Sequence, residues 1–323
     1  MKIIKFITAA TAAILLAGGV YAQDLDTVEA NYNKAVELVQ AKDFAGAIPM
    51  LESVINDGFD LGDDAIEYVK GAQKLVPTCY FQLGGRNFNT NVDEAIVNFE
   101  KAAELSELYG NMDILGKAKM WIGRSYTKKG ADAFNNKDYA TAAEIFAQGY
   151  AADPSNTDLA LNLAKSYGEM GIENPEYMTK AMEVYDSIIA LTHSKFAEAV
   201  AQAKKDKGYF QTVNITKLVA AKDFDTAYAQ IDEILATDPD NAAVNFILLQ
   251  AATNQQNWAK VIANGEKAAG LQDSDEMKSE AYFLLGAAYQ NTDNKAKAIE
   301  AYRKVAAGAK VDTAKAQIAA LQK

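Results

Sequence analysis

The chain has 323 residues, half of them hydrophobic, with one cysteine, five prolines and a net charge of −11. An acidic surface repels phosphate, so nucleic acid and anionic lipid are poor candidate partners. The lone Cys79 cannot form an intramolecular disulfide. The N-terminus has the three parts of a secretory signal: Lys2 and Lys5, an uncharged apolar run from Phe6 to Ala17, and Val20-Tyr21-Ala22 with small residues at alternate positions. Cleavage is expected between Ala22 and Gln23, leaving a mature chain in the periplasm, in the cell envelope or secreted. The run is shorter than the ~20 residues a permanent span needs. No cysteine follows the cleavage site, so no lipid anchor is expected there, and no later apolar run reaches spanning length.

Beyond residue 23 the chain repeats itself. A polar pair, an aromatic, two further residues and a small residue open each apolar-periodic stretch. Examples are Lys42-Asp43-Phe44, Lys137-Asp138-Tyr139, Lys222-Asp223-Phe224 and Gln256-Asn257-Trp258, and Asn294-Lys295-Ala296 keeps the frame without the aromatic. The small-residue anchors are Ala47, Ala95, Ala142, Ala181, Ala227, Val261 and Ala298, spaced 34 to 48 residues apart. Each reads as a helix hairpin, with the polar pair in the turn and the anchor where two helices cross closely. Four residues on, on the same face, lie Leu51, Phe99, Phe146, Tyr185, Ile231 and Tyr302, with Gly265 the exception. Asp153-Pro154 and Asp238-Pro239 stop the second helix of their hairpins, and Asn156 and Asn241 start the next.

Several first helices are long. Residues 63–84 carry one apolar stripe, with Pro77 expected to kink it, and residues 112–136 carry a second. An added helical segment is expected at Lys195 to Lys207 and an insertion in the turn at residues 172–176. Residues 312–323 are expected to form a capping helix, with Ala314, Ile318 and Leu321 on its packed face and Lys315 and Gln317 elsewhere.

Chemistry is sparse. His193 has no second histidine or cysteine to share a metal. Cys79 lies in an apolar stripe, where a thiol is buried and inert. Asp273-Ser274-Asp275-Glu276 lacks the glycine and distal glutamate of a calcium loop and reads as the start of a helix. No catalytic, metal or cofactor constellation emerges. Asp26-Thr27-Val28, Asp186-Ser187-Ile188, Asp225-Thr226-Ala227 and Asp312-Thr313-Ala314 resemble a three-residue O-glycosylation signal of some envelope bacteria, a pattern short enough to arise by chance.

The phrase Tyr282, Leu285-Gly286, Tyr289, Ala298, Tyr302 resembles the tetratricopeptide repeat family. So do Leu163-Ala164, Tyr167, Ala181 and Tyr185, and Gly130, Ala142, Phe146 and Pro154. The resemblance covers nearly the whole mature chain and departs from the family in its long spacings. It implies an all-α, right-handed α-solenoid of about seven tandem helix-turn-helix repeats over residues 23–311. It implies too that first helices line a concave groove that takes a peptide or a partner's helix. Groove-facing positions then fall on Arg124, Thr127 and Asn135; on Leu161, Lys165 and Glu169; on Phe246, Gln250 and Asn254; and on Phe283, Gln290 and Asn291. Lys128, one turn beyond Arg124, extends a cationic spot suited to acidic side chains. The family's Lys-plus-Asn clamp for a terminal carboxylate is complete in no repeat. A non-catalytic protein- or peptide-binding scaffold of the bacterial envelope is the expected function, with an accessory carbohydrate-binding or enzyme-associated module as the alternative.

Overall fold

The computed structural model describes residues 24–323, so the secretory signal lies outside the described residues. Among these there are fifteen α-helices, two short 3-10 segments and no strand. In order they are α1 (Leu25–Gln40), α2 (Phe44–Asp60), α3 (Ile66–Asn87), α4 (Val92–Tyr109), α5 (Met112–Asn135), α6 (Tyr139–Ala152), α7 (Thr157–Gly171) and α8 (Pro175–Ile189). There follow α9 (Ala197–Ala220), α10 (Phe224–Thr237), α11 (Ala242–Asn254), α12 (Trp258–Gly270), α13 (Asp275–Asn291), α14 (Lys295–Arg303) and α15 (Val311–Leu321). Two compact units divide the chain, the first ending at Leu159 and the second running Ala160–Lys323. In the first, each of α1 to α5 packs on its successor, and α3 also touches α1 and α5. In the second, α8 to α14 do the same, and α11 also touches α9 and α13.

The repeated polar pair is a compact stop-and-start device. Its first residue adopts the left-handed backbone, at φ of 61° for Lys42, 62° for Lys137, 61° for Lys222, 59° for Gln256 and 57° for Asp293. The amide of the second residue then reaches back five residues to the previous helix, from Asp43 to the Leu38 carbonyl (2.8 Å), Asp138 to Ala133 (3.0 Å) and Asp223 to Leu218 (2.9 Å). Asn257 to Ala252 (2.8 Å) and Asn294 to Tyr289 (2.9 Å) complete the set. This is the Schellman closure, which satisfies carbonyls the helix end leaves open. The same Asp or Asn caps the next helix, its side chain accepting the amide three residues on, as at Asp43 from Gly46 (3.0 Å) and Asp138 from Thr141 (3.2 Å). One dipeptide thus ends one helix and begins the next. The Asp-Pro stops leave Asn156 and Asn241 to cap α7 and α11, accepting from Leu159 (3.2 Å) and Val244 (3.0 Å).

All seven anchors are fully enclosed, Ala47, Ala95, Ala142, Ala181, Ala227, Val261 and Ala298 each at 0% exposure. The side chains four residues on fill the space beside them: Leu51, Phe99, Phe146, Tyr185, Ile231 and Tyr302 are all buried. Several first helices make room with glycine. A Cβ on Gly130 would sit 2.4 Å from the Phe146 ring, one on Gly84 2.6 Å from Phe99, and one on Gly286 2.7 Å from Tyr302. The exception at Gly265 has the converse reason: Leu285 of α13 occupies the place a side chain would need, 2.8 Å from where its Cβ would stand.

Two expectations are revised. The segment Lys195 to Lys207 is not a separate helix: α9 runs unbroken for 24 residues through Gly208, since one mid-helix glycine costs only about 1 kcal/mol. Pro77 lies inside the 22-residue α3, as its place in the apolar stripe implied, and α2 likewise contains Pro49. In α15, Ala314 is buried and Ile318 and Leu321 pack on the core of α13 and α14. Gln317, read from the sequence as off the packed face, instead accepts the Gln290 side-chain amide at 3.1 Å.

Substitutions in the turn and at the crossing test these roles separately. Lys137→Gly relieves a left-handed non-glycine residue and should stabilise by about 0.5–1 kcal/mol, whereas Asp138→Ala removes the cap and should destabilise by about 1 kcal/mol. Urea denaturation of the two variants reads these opposite signs. Ala142→Glu forces a charge into the closed helix crossing and should destabilise by roughly 3 kcal/mol, seen as a large drop in the thermal midpoint.

Candidate functional site

In the second unit, three first helices of consecutive hairpins present a shared groove of about 300 Å3. Each gives a pair spaced one helical turn apart: Thr216 and Ala220 from α9, Gln250 and Asn254 from α11, Glu280 and Leu284 from α13, with Val219 and Thr253 completing the lining. The i, i+4 spacing puts both members of each pair on one side of their helix. Leu284 packs onto the core between α11 and α13, and Val219 belongs to the core beneath α9, so the floor is apolar and fixed.

The polar groups of the groove fall into two kinds. Thr216 and Thr253 donate their hydroxyl hydrogens to their own helices, to the Thr212 carbonyl at 2.8 Å and the Leu249 carbonyl at 2.8 Å. Their hydroxyl hydrogens are therefore spent, and each hydroxyl oxygen is left as an acceptor. Gln250, Asn254 and Glu280 make no side-chain hydrogen bond or ion pair to any described residue. Gln250 and Glu280 are half-buried and Asn254 is exposed. These amides and this carboxylate are held on rigid helices with their hydrogen-bonding capacity uncommitted.

Other sequence-derived positions are used by the fold. Phe246 is 6% exposed and belongs to the core between α11 and α13, so it is no groove contact. Gln290 is spent internally: it donates to Gln317 and accepts from the Tyr302 hydroxyl at 2.8 Å, joining α13, α14 and α15. Phe283 packs against the Tyr302 ring at 5.5 Å with the Lys310 ammonium 5.2 Å from its centroid. Asn291 is exposed and donates to the Ala287 carbonyl at 2.8 Å. Sequence reasoning missed Thr216, Ala220, Glu280 and Leu284. Their signal was there, in the same one-turn spacing as Gln250 and Asn254, shifted along helices whose register the repeat phrase sets less sharply.

In the first unit, Arg124 and Lys128 lie on α5 without a carboxylate partner among the described residues. Arg124 stacks 5.1 Å from the Trp121 ring, and Lys128 lies 6.0 Å from the Phe88 ring. The two rings meet edge-on at 5.0 Å, and Trp121 also stacks on buried Phe99 at 5.7 Å. An aromatic bed thus holds both cations in place. Arg124 also borders a hollow of about 610 Å3 with Lys119, Met120, Asp153 and Asp158. Lys165 is exposed on α7 and falls in the second unit. A third hollow, of about 320 Å3, opens between α8, α9 and α10, with Met178, Met182 and Ile234 beside the Lys207–Asp186 ion pair (2.5 Å) and the Asn214–Gln230 hydrogen bond (2.9 Å).

Among the described residues no His, Cys, Asp and Glu side chains converge as a metal set, and no helix is long and apolar enough to cross a membrane. Cys79 is fully buried, and burial pushes its thiol up to about 11, far from thiolate chemistry at neutral pH. Exposed His193 caps a 3-10 turn, its Nδ1 accepting the Lys195 amide at 3.1 Å. Ser274 caps α13 by accepting from the Met277 amide at 3.2 Å, which explains the acidic run around it. Thr27, Ser187, Thr226 and Thr313 are all exposed.

The hairpins, enclosed anchors and capping turns make this an all-α protein built from repeated helix hairpins. No protein-family model matches the chain, and no curated protein does. Solved structures similar to it include the MamA RS-1 ArsTM double mutant, at 17% identity and a TM-score of 0.36, covering 57% of this chain and 92% of that one. A tetratricopeptide repeat protein from Parabacteroides merdae ATCC 43184 is 12% identical with a TM-score of 0.30, covering 92% of this chain and 100% of that one. The apo form of RapI is 13% identical with a TM-score of 0.40, covering 86% of this chain and 75% of that one. At these values nothing about partner or role carries over to the present chain.

Proposed function

We propose that the chain is a non-catalytic interaction scaffold of the bacterial envelope that binds an extended segment of a partner protein across α9, α11 and α13. The observation that carries this reading is the pair of uncommitted amides, Gln250 and Asn254, one turn apart over an apolar floor. An amide side chain both donates and accepts, so two of them in line can bond successive backbone groups of an extended peptide without regard to its side chains. The cations Arg124 and Lys128 supply a second contact face in the other unit, suited to acidic side chains because the aromatic bed holds them without neutralising them.

Photo-crosslinking tests the groove. A benzophenone side chain placed at position 254 should yield a defined adduct in cells producing the protein, while the same group at exposed Ala259 on α12 should not. Equal adducts from both positions, or none from 254, would refute the groove as the contact face.

The envelope assignment rests on the secretory pattern of residues 1–22. Intact-mass measurement of the native protein should return a chain beginning at Gln23. A product that retains Met1 in cytoplasmic extract would reject it.

A further inference from the structure

We infer that the groove across α9, α11 and α13 selects a partner segment bearing a basic side chain, whose cation is received by Glu280; this rests on the peptide-groove reading above. Four observations converge on it. Glu280 is the one charged side chain among the described residues lining the groove, and no lysine or arginine lines it. Glu280 is half-buried, and its carboxylate takes no ion pair or hydrogen bond from any described residue. Thr216 and Thr253 have already donated their hydroxyl hydrogens to the Thr212 and Leu249 carbonyls, so in the groove they act as acceptors. Leu284, one turn from Glu280, and Val219 and Ala220 opposite form an aliphatic strip beside these acceptors.

The lining is therefore rich in acceptors, negatively charged at one point and apolar alongside it. An arginine or lysine side chain has the complementary order. Its methylene stem lies along aliphatic surface while its donors reach the polar end. Guanidinium carries five donors and no acceptor, and ammonium three donors and no acceptor. An acidic partner side chain would meet Glu280 with like charge, and a neutral one would leave the carboxylate partly desolvated and unpaired. Gln250 and Asn254 then hold the backbone on either side. The acid-binding expectation attached to the cations of α5 does not extend to this groove, so the two units would choose opposite charge.

Phage-displayed random decapeptides panned against the full-length chain test the inference, with helicity of every variant checked by circular dichroism. Wild type should return peptides enriched in Arg and Lys. Glu280→Gln should weaken a selected basic peptide by about tenfold or more in fluorescence anisotropy, the range expected for a charged hydrogen bond. Glu280→Lys should shift the selected pool toward Asp and Glu. Glu280 is only half-buried, so neither exchange opens the core. Asn254→Trp, which fills the groove, separates this inference from the reading beneath it. Peptides that Asn254→Trp rejects but that show no basic enrichment, or pools identical for wild type and Glu280→Lys, overturn the charge assignment alone. Peptides that bind Asn254→Trp as well as wild type, or no peptides at all, overturn the groove itself.

Discussion

Everything in this fold depends on how closely two helices cross at the anchor of each hairpin. At Ala47, Ala95, Ala142, Ala181, Ala227, Val261 and Ala298 the exposed surface is nil. A methyl or isopropyl group there allows the neighbouring helix to approach, and the side chain four residues on is then gripped from both sides. For three of the aromatics the facing helix gives up its own side chain, as Gly84 does to Phe99, Gly130 to Phe146 and Gly286 to Tyr302. These are local complementarities, repeated. They need little sequence identity beyond the anchor, the glycine and the turn, which is why the repeats differ in length while keeping one packing rule.

That rule decides which residues remain for binding. A first helix packs against its own partner, against the preceding hairpin and against the next first helix, which leaves it one narrow free stripe. In α11 six consecutive residues, Val244 to Leu249, are buried, so Gln250 and Asn254 are what remains near its C-terminal end. In α13 the stripe passes through Glu280 and Leu284, while Gln290, near the other end, is taken by the capping helix. A last repeat must be covered, and the covering helix consumes polar groups that an interior repeat would keep exposed. The assignment of Gln290 to a binding face therefore failed for a reason built into its position in the array.

Much of this was legible in the residues. The anchors, the side chains four residues on, the Asp-Pro stops and the asparagine caps are all local patterns, and each lies where its chemistry requires. The turn dipeptide could be recognised as a turn but not resolved, because nothing in Lys137-Asp138 announces that the lysine takes a left-handed backbone. That geometry is imposed by closing one helix and capping the next within two residues. The continuity of α9 was not legible, since Gly208 breaks a pattern without breaking the helix. Nor was the groove as a whole. Phe246 and Gln250 share a stripe by periodicity, and only the packing of α13 against α11 buries one and leaves the other free.

The uncommitted groups of the groove also indicate how it would discriminate. Gln250 and Asn254 are neutral amides, so a peptide that bonds them exchanges water for backbone, and each such exchange contributes only about 0.5–1.5 kcal/mol. Contacts of this kind hold many sequences nearly equally and cannot by themselves choose a partner. Glu280 differs because it carries a charge, and it is half-buried beside Leu284. Covering it with a segment that lacks a cation removes its water and gives nothing back, a loss larger than any single amide contact gains. Selectivity in such a groove arises from what the wrong ligand leaves unpaired more than from what the right one adds. On that argument the amides set whether a segment binds at all, and the lone carboxylate sets which one.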